Sequence, residues 1–176
     1  MDQVGFIHEK LEIKMLILYV LRRLSGPVDL ETLRGLCQCD RGVGYFDYAE
    51  CLSDLVANGN VSDTKDGYRI TEQGAHNADE LESSLPYSVR AKALKLIEPV
   101  EERLRRMAMI TARHSVGEDG CVVELAMSDG KGDVIRLSLL CAGEEQAETI
   151  EKNFRRDAEG YYQKIAALLS EEKKRR

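Results

Sequence analysis

Apolar residues return at steps of three and four through Ile13, Leu16, Ile17, Val20, Leu21 and Leu24, the single buried face that an amphipathic helix requires. Ser25-Gly26-Pro27 ends that helix. Asp29 is placed to cap a short second helix from Thr32 to Cys37, flanked and lined by Leu30, Leu33 and Leu36. Gly42 and Gly44 then loosen the chain before a third helix from Tyr45 to Asn58, whose Tyr45, Tyr48, Leu52, Leu55 and Val56 share a face. Asn58-Gly59 is a helix stop. Val61-Ser62-Asp63 and Tyr68-Arg69-Ile70-Thr71 read as two short strands around Thr64-Lys65-Asp66-Gly67, where Asp-Gly is a strong turn signal. Three helices followed by a hairpin predict a winged helix-turn-helix.

The pattern beyond it predicts a different kind of unit. Glu72 to Leu81 continues as a short helix, and Ser83-Ser84-Leu85-Pro86 breaks the periodicity. Residues 88–114 carry Val89, Ala93, Leu96, Ile97, Val100, Leu104, Met107 and Ile110 at helical spacing, with Pro99 expected to kink or split the helix. After a loop at Gly117 to Gly120, Cys121 to Ala126 and Val134 to Cys141 read as a second hairpin joined by Ser128-Asp129-Gly130-Lys131-Gly132. A last helix from Glu144 to Leu169 turns Ala147, Ile150, Phe154, Ala158, Tyr161, Ile165 and Leu168 inward, and Glu171 to Arg176 should fray. The predicted class is therefore α+β and mostly helical. It divides into a winged helix over 1–85, a long linking or dimerisation helix over 86–115, and a hairpin-plus-helix domain over 116–176.

Composition narrows the function. With 176 residues and 43% hydrophobic content, the chain can bury one or two cores. The start, Met1 to Gly5, has no basic-then-apolar signal, and the longest apolar run, Met15 to Leu21, is too short to span a bilayer, so a cytoplasmic protein is expected. Five cysteines without framework spacing read as reduced thiols. The net charge of −6 is unevenly spread. Residues 1–85 hold 8 Lys/Arg against 15 Asp/Glu, a net of −7; residues 86–115 hold 7 against 3, a net of +4; residues 116–176 hold 10 against 13, a net of −3.

The run Leu52-Ser53-Asp54-Leu55-Val56-Ala57-Asn58-Gly59, followed by Tyr68-Arg69-Ile70-Thr71-Glu72-Gln73-Gly74, resembles the recognition-helix end and wing of bacterial winged-helix regulators. Together with Leu11 to Leu21, it makes the chain similar to an uncharacterised bacterial winged-helix family of unknown function, most clearly from Phe6 to Gly74 and more weakly through the second half. The resemblance implies what winged helices commonly do: read duplex DNA, or serve as protein-interaction modules. In a DNA reader the third helix enters the major groove while wing side chains hold phosphates. That assigns Arg41, Tyr45, Phe46 and Asp47 to the groove and Lys65 and Arg69 to the wing, in a homodimer that multiplies weak half-site contacts. Asp47, Glu50 and Asp54 oppose this reading, since three carboxylates would face phosphates with no Arg or Lys between them. The basic candidates are peripheral to that helix: Arg41 precedes it, Arg34 sits on the second helix, Arg22 and Arg23 end the first, and Lys65 and Arg69 belong to the wing. The alternative is a module whose acidic third helix meets a basic protein partner without binding DNA.

Other constellations have plainer readings. Cys37-Gln-Cys39 lacks the second Cys or His pair of a zinc site, and Cys51, Cys121 and Cys141 stand among apolar neighbours as small hydrophobes. His8, His76 and His114 are remote from any nucleophile and read as solvated or capping. The glycines at 117, 120, 130 and 132 lack a phosphate-loop context and read as turns. Arg103, Arg105, Arg106 and Arg113 form the densest positive cluster, muted if Glu101 and Glu102 pair with Arg105 and Arg106. The stripe along residues 89–110 fits an internal core or a dimer seam. A small-molecule sensor in the C-terminal part has no convergent polar cluster to define a pocket. No cofactor, metal or membrane is expected, and no motif supports an enzyme.

Overall fold

The computed structural model describes Ile7, residues 9–117 and residues 120–171. His8, the segment before Ile7, residues 118–119 within the loop expected at Gly117 to Gly120, and residues 172–176 of the stretch Glu171 to Arg176 expected to fray lie outside the described residues. The chain divides into two compact units, Met1–Arg105 and Arg106–Arg176.

In the first unit, α1 (Lys10–Arg22), α2 (Leu30–Cys37) and α3 (Tyr45–Ala57) precede an antiparallel hairpin of β1 (Val61–Thr64) and β2 (Gly67–Ile70). Then come α4 (Glu72–Leu81), one short 3-10 turn and α5 (Tyr87–Ala108). The expected order of three helices and a hairpin is present. Helix α1 is more deeply enclosed than its periodicity implies. Beyond Ile13, Leu16, Ile17, Val20 and Leu21, it also buries Met15, Leu18 and Tyr19, because α2, α3, α4 and β2 all pack around it. A helix enclosed this way is apolar nearly all round, so its sequence shows only the strongest of its faces. Val89, Ala93 and Ile97 of α5 lie in the same core, which accounts for that part of the stripe without a second chain. Pro99 lies inside α5, which runs on to Ala108 without being split.

The caps are local and legible. The Asp29 carboxylate accepts from the Thr32 N–H at 2.8 Å and starts α2, and Thr71 accepts from the Gly74 N–H at 3.1 Å and starts α4. The hairpin is tied back to the helices by Val28, which exchanges both backbone hydrogen bonds with Tyr68, at 2.8 and 3.1 Å. Gly67 makes that approach feasible. Its φ is +117°, and a Cβ there would sit 2.4 Å from the Val28 carbonyl oxygen.

The second unit corrects the expected hairpin. It is a three-stranded antiparallel sheet in the order β3 (Ile110–Gly117), β4 (Gly120–Ser128), β5 (Asp133–Cys141), crossed by α6 (Glu144–Ser170). The linking helix predicted to reach residue 114 ends at Ala108, and Ile110 opens a strand. Ile110 fits two periods at once. It continues the three-residue step from Met107, and it also begins the alternation Ile110, Ala112, His114 that faces α6. The sheet's inner face supplies Ala112, Cys121, Val123, Leu125 and Cys141 to a core closed by Ala147, Phe154 and Ala158 of α6.

Candidate nucleic-acid interface

The loop before α3 is shaped by a residue the sequence pattern did not single out. Asp40 is buried, and its Oδ1 accepts from the backbone N–H groups of Ile7 at 3.3 Å and Gly42 at 3.0 Å. Gly42 follows because a Cβ there would lie 1.8 Å from the Ile7 carbonyl oxygen. The loop so fixed leaves Arg41 exposed and brings the chain to Gly44, the N-cap of α3.

Along α3, Tyr48, Cys51, Leu52 and Leu55 face the core. Tyr45 does not join them. It is 55% exposed and meets Phe46, 84% exposed, edge to face with ring centroids 5.5 Å apart. Placing Tyr45 on the apolar face extended a helical period one turn too far, to a residue at the helix start that the core does not reach. The Arg34 guanidinium lies 5.7 Å from the Tyr45 ring while pairing with Glu31 at 2.6 Å.

The acidic residues of α3 are arranged differently from the sequence expectation. Lys10 Nζ stands 2.5 Å from Glu50 Oε1, and Lys14 Nζ stands 2.7 Å from Asp54 Oδ2. The hydrogen bonds that both lysines donate to these carboxylates raise their pKa above the ordinary range and hold them charged. Each pair spans forty positions, and each acid or base is one turn from the next, so successive turns of α1 and α3 run side by side. Two of the three carboxylates are therefore matched to cations on α1. The exposed positions Phe46, Ala49, Ser53 and Ala57 carry no charge, and Asp47 is exposed near the helix start.

The hairpin carries the remaining cations. The Thr64 hydroxyl donates to the Gly67 carbonyl at 2.9 Å and accepts from the Asp66 N–H, which fixes the turn. Lys65 and Arg69 project exposed from it. Of the eight basic residues in 1–85, five are paired within the fold: Lys10, Lys14, Arg22 with Asp79, Arg23 with Glu82, and Arg34 with Glu31. Among the described residues, the three without an ion pair are Arg41, Lys65 and Arg69.

Elsewhere, the cysteines behave as core. Cys37, Cys51, Cys121 and Cys141 are buried, and burial pushes the half-buried Cys39 thiol up to about 11. In the second unit His114 is not simply solvated. Its Nδ1 lies 2.7 Å from Glu151, and Nε2 lies 3.6 Å from Glu144. Arg105 pairs with Glu101 at 2.6 Å, as its spacing implied, and Arg113 pairs with Glu124 at 2.7 Å. No helix among the described residues is long and apolar enough to cross a membrane.

No curated protein and no solved structure matches the chain. A family model does match, over residues 13–169, which takes in both units, and the chain thus belongs to the family described as domain of unknown function DUF4364.

Proposed function

We propose that the first unit is a winged helix-turn-helix and that the protein is a transcriptional regulator binding duplex DNA as a homodimer, with α3 as the groove helix and the β1–β2 hairpin as the wing. The observation that carries this reading is the distribution of paired charge. Five of the eight cations in 1–85 are engaged by the fold, and the three left over stand before α3 and on the hairpin. Phosphate binding requires cations that the protein has not already neutralised. The exposed stripe of α3 supports the same reading. Alanine and phenylalanine can meet thymine methyl groups, serine can bond to any base edge, and one carboxylate, Asp47, can accept from cytosine N4.

The test is fluorescence anisotropy of the full chain against duplexes from its own upstream region and a scrambled control, across salt. Sequence-dependent binding that weakens with salt is expected. Lys65→Ala with Arg69→Ala removes two contacts from each copy, four in the homodimer, and should reduce the logarithmic salt slope by about 4, since each phosphate contact contributes about 0.9. Absence of binding at low salt by folded protein would refute the reading.

A second reading rests on a specific observation. The 15 Asp/Glu in 1–85 and the exposed Tyr45–Phe46 pair fit an interaction module that meets a basic protein partner and leaves DNA alone. Asp47→Lys separates the two. It should weaken a contact with a basic partner and strengthen non-specific DNA binding.

A further inference from the structure

The two free edges of the β3–β4–β5 sheet are unequal. Helix α6 packs chiefly against β3 and β4, and Arg155 donates to the Ala112 carbonyl on the β3 edge. On the other side, β5 is nine residues long, its two charges Asp133 and Arg136 pair with each other at 2.6 Å, and its remaining residues are mostly apolar, with Leu139 41% and Leu140 71% exposed. Beside it runs a groove of about 240 Å³ between sheet and helix, walled by Leu137, Leu139, Ile150, Phe154, Tyr161 and Ile165. A long edge strand is a template for another strand, and proteins that keep such an edge single usually place unpaired charges or proline on it; β5 has no proline, and its two charges neutralise each other.

The hydrogen-bond alternation tells which groups that edge offers. Ser128 N–H donates to the Met109 carbonyl, so alternate β4 residues back to Val122 bond to β3, and Cys121, Val123, Leu125 and Met127 bond to β5. With their register partners Cys141, Leu139, Leu137 and Ile135 thus occupied, the backbone groups of Arg136, Ser138 and Leu140 point to the open side. The same alternation leaves the Ala112 carbonyl outward on the opposite edge, where Arg155 meets it. The extra residue in β5 relative to β4 falls at Val134, which leaves 135–141 as the regular stretch.

We infer that β5 pairs antiparallel with β5 of a second copy of this chain, about a two-fold axis at Ser138. The stretch 135–141 is centred on Ser138, and this register satisfies the outward groups of Arg136, Ser138 and Leu140 on both strands. It sets Leu137 against Leu139 of the second copy on the groove side. On the other face it lays the Arg136 stem against the exposed Leu140. No like charges are apposed, whereas a two-fold at Arg136 would stack two guanidinium groups. A symmetric interface uses one patch twice, as this register does. The inference deepens the homodimer part of the reading above and is independent of whether DNA is bound.

The test uses the full chain. Wild-type protein should have a solution mass of twice 19.8 kDa. Ser138→Pro removes an N–H that the monomer's ladder does not use, so it should return the mass to 19.8 kDa with unchanged far-ultraviolet circular dichroism. Ser138→Cys should give a disulfide-linked dimer on oxidation that wild type does not, because directly opposed hydrogen-bonded residues have Cα atoms about 5.5 Å apart. If Ser138→Pro unfolds, the cross-link decides. A wild-type dimer that yields no Ser138→Cys cross-link overturns this surface and leaves a homodimer standing. A wild-type monomer at about 100 µM, well above the dissociation constant of a stable dimer, overturns both.

Discussion

Replacing Gly74 with alanine sets two effects of opposite sign against each other. Gly74 lies in the first turns of α4, where alanine has the better helix propensity by about 1 kcal/mol, and propensity alone would make the variant more stable. The structure argues the reverse. A Cβ at Gly74 would stand 2.1 Å from the Asn60 carbonyl oxygen and 3.0 Å from Ile70 Cγ1. The first of these neighbours is backbone and cannot swing aside. Asn60 itself is buried and bound on several sides: its N–H donates to Leu55, its carbonyl accepts from the Thr71 N–H at 3.1 Å, and its side chain accepts from Asn77 at 2.7 Å.

Relief of the clash requires α4 and Asn60 to separate by about 1 Å, as overpacked sites generally demand of their surroundings. That stretches the Thr71 and Asn77 bonds, each with a net contribution of about 1 kcal/mol, and it leaves Asn60 polar groups without partners at a further cost of about 1–3 kcal/mol. Set against the propensity gain, the net destabilisation is about 2–4 kcal/mol, so the urea midpoint should fall by about 1–2 M at unchanged slope. Thr71→Ala, which removes the cap together with the hydroxyl's hydrogen bond to the Gly59 carbonyl at 2.7 Å, should cost about 1–2 kcal/mol. Urea titrations of both variants by circular dichroism measure this. Gly74→Ala at or above wild-type stability would show that the α4–Asn60 approach is not as close as described, and would remove the physical account of the Tyr-x-Ile-Thr-x-x-Gly ending.

Two further outcomes follow from titratable groups. The Glu151 hydrogen bond, with Glu144 adding to it, raises His114 above its ordinary 6.5, so the stabilisation it gives is complete below that pH and is lost as pH rises through the folded value. Melting temperature should therefore decline on the alkaline side of 6.5, and Glu151→Gln should both flatten that decline and lower the NMR-measured His114 pKa. With four cysteines buried and Cys39 held near 11, native protein at neutral pH should react with a thiol reagent far more slowly than unfolded protein, and Cys39 should be modified first.

What the sequence made legible was local. Asp29 caps the helix it precedes, the Lys65-Asp66-Gly67 turn joins β1 to β2, and three helical periods stand where the pattern puts them. The failures came from ambiguity or distance. Ile110 satisfied a helical and an alternating period together, which hid β3 and with it the third strand. Tyr45 matched the apolar face of α3 in spacing but lies beyond the core. At the candidate interface, Arg41, Lys65 and Arg69 are exposed, yet the acidic look of α3 hides its neutralisation, because the lysines that answer it are forty residues away. A signal was present. Lys10 and Lys14 are four apart, as are Glu50 and Asp54, and matched spacing on two helices is what side-by-side pairing needs.

The pairing of charge alters what the net count can say about DNA. Cancelling the five ion pairs leaves the total for residues 1–85 unchanged at −7, because each removes one charge of either sign. It changes which cations remain available, and only three do. Three phosphate contacts give a salt slope of about −3, so a single copy would lose only tens-fold in affinity between about 50 and 200 mM salt. Asp63 and Asp66 beside Lys65 weaken even that attraction. Two copies bound to one duplex would give a slope of about −5 and a loss of about a thousandfold over the same range. The slope thus counts protomers as well as phosphates. A value near −5 in wild type that falls to about −3 in Ser138→Pro would tie DNA binding to the β5 edge. A value near −3 in both would mean that each copy binds alone, whatever its mass in solution.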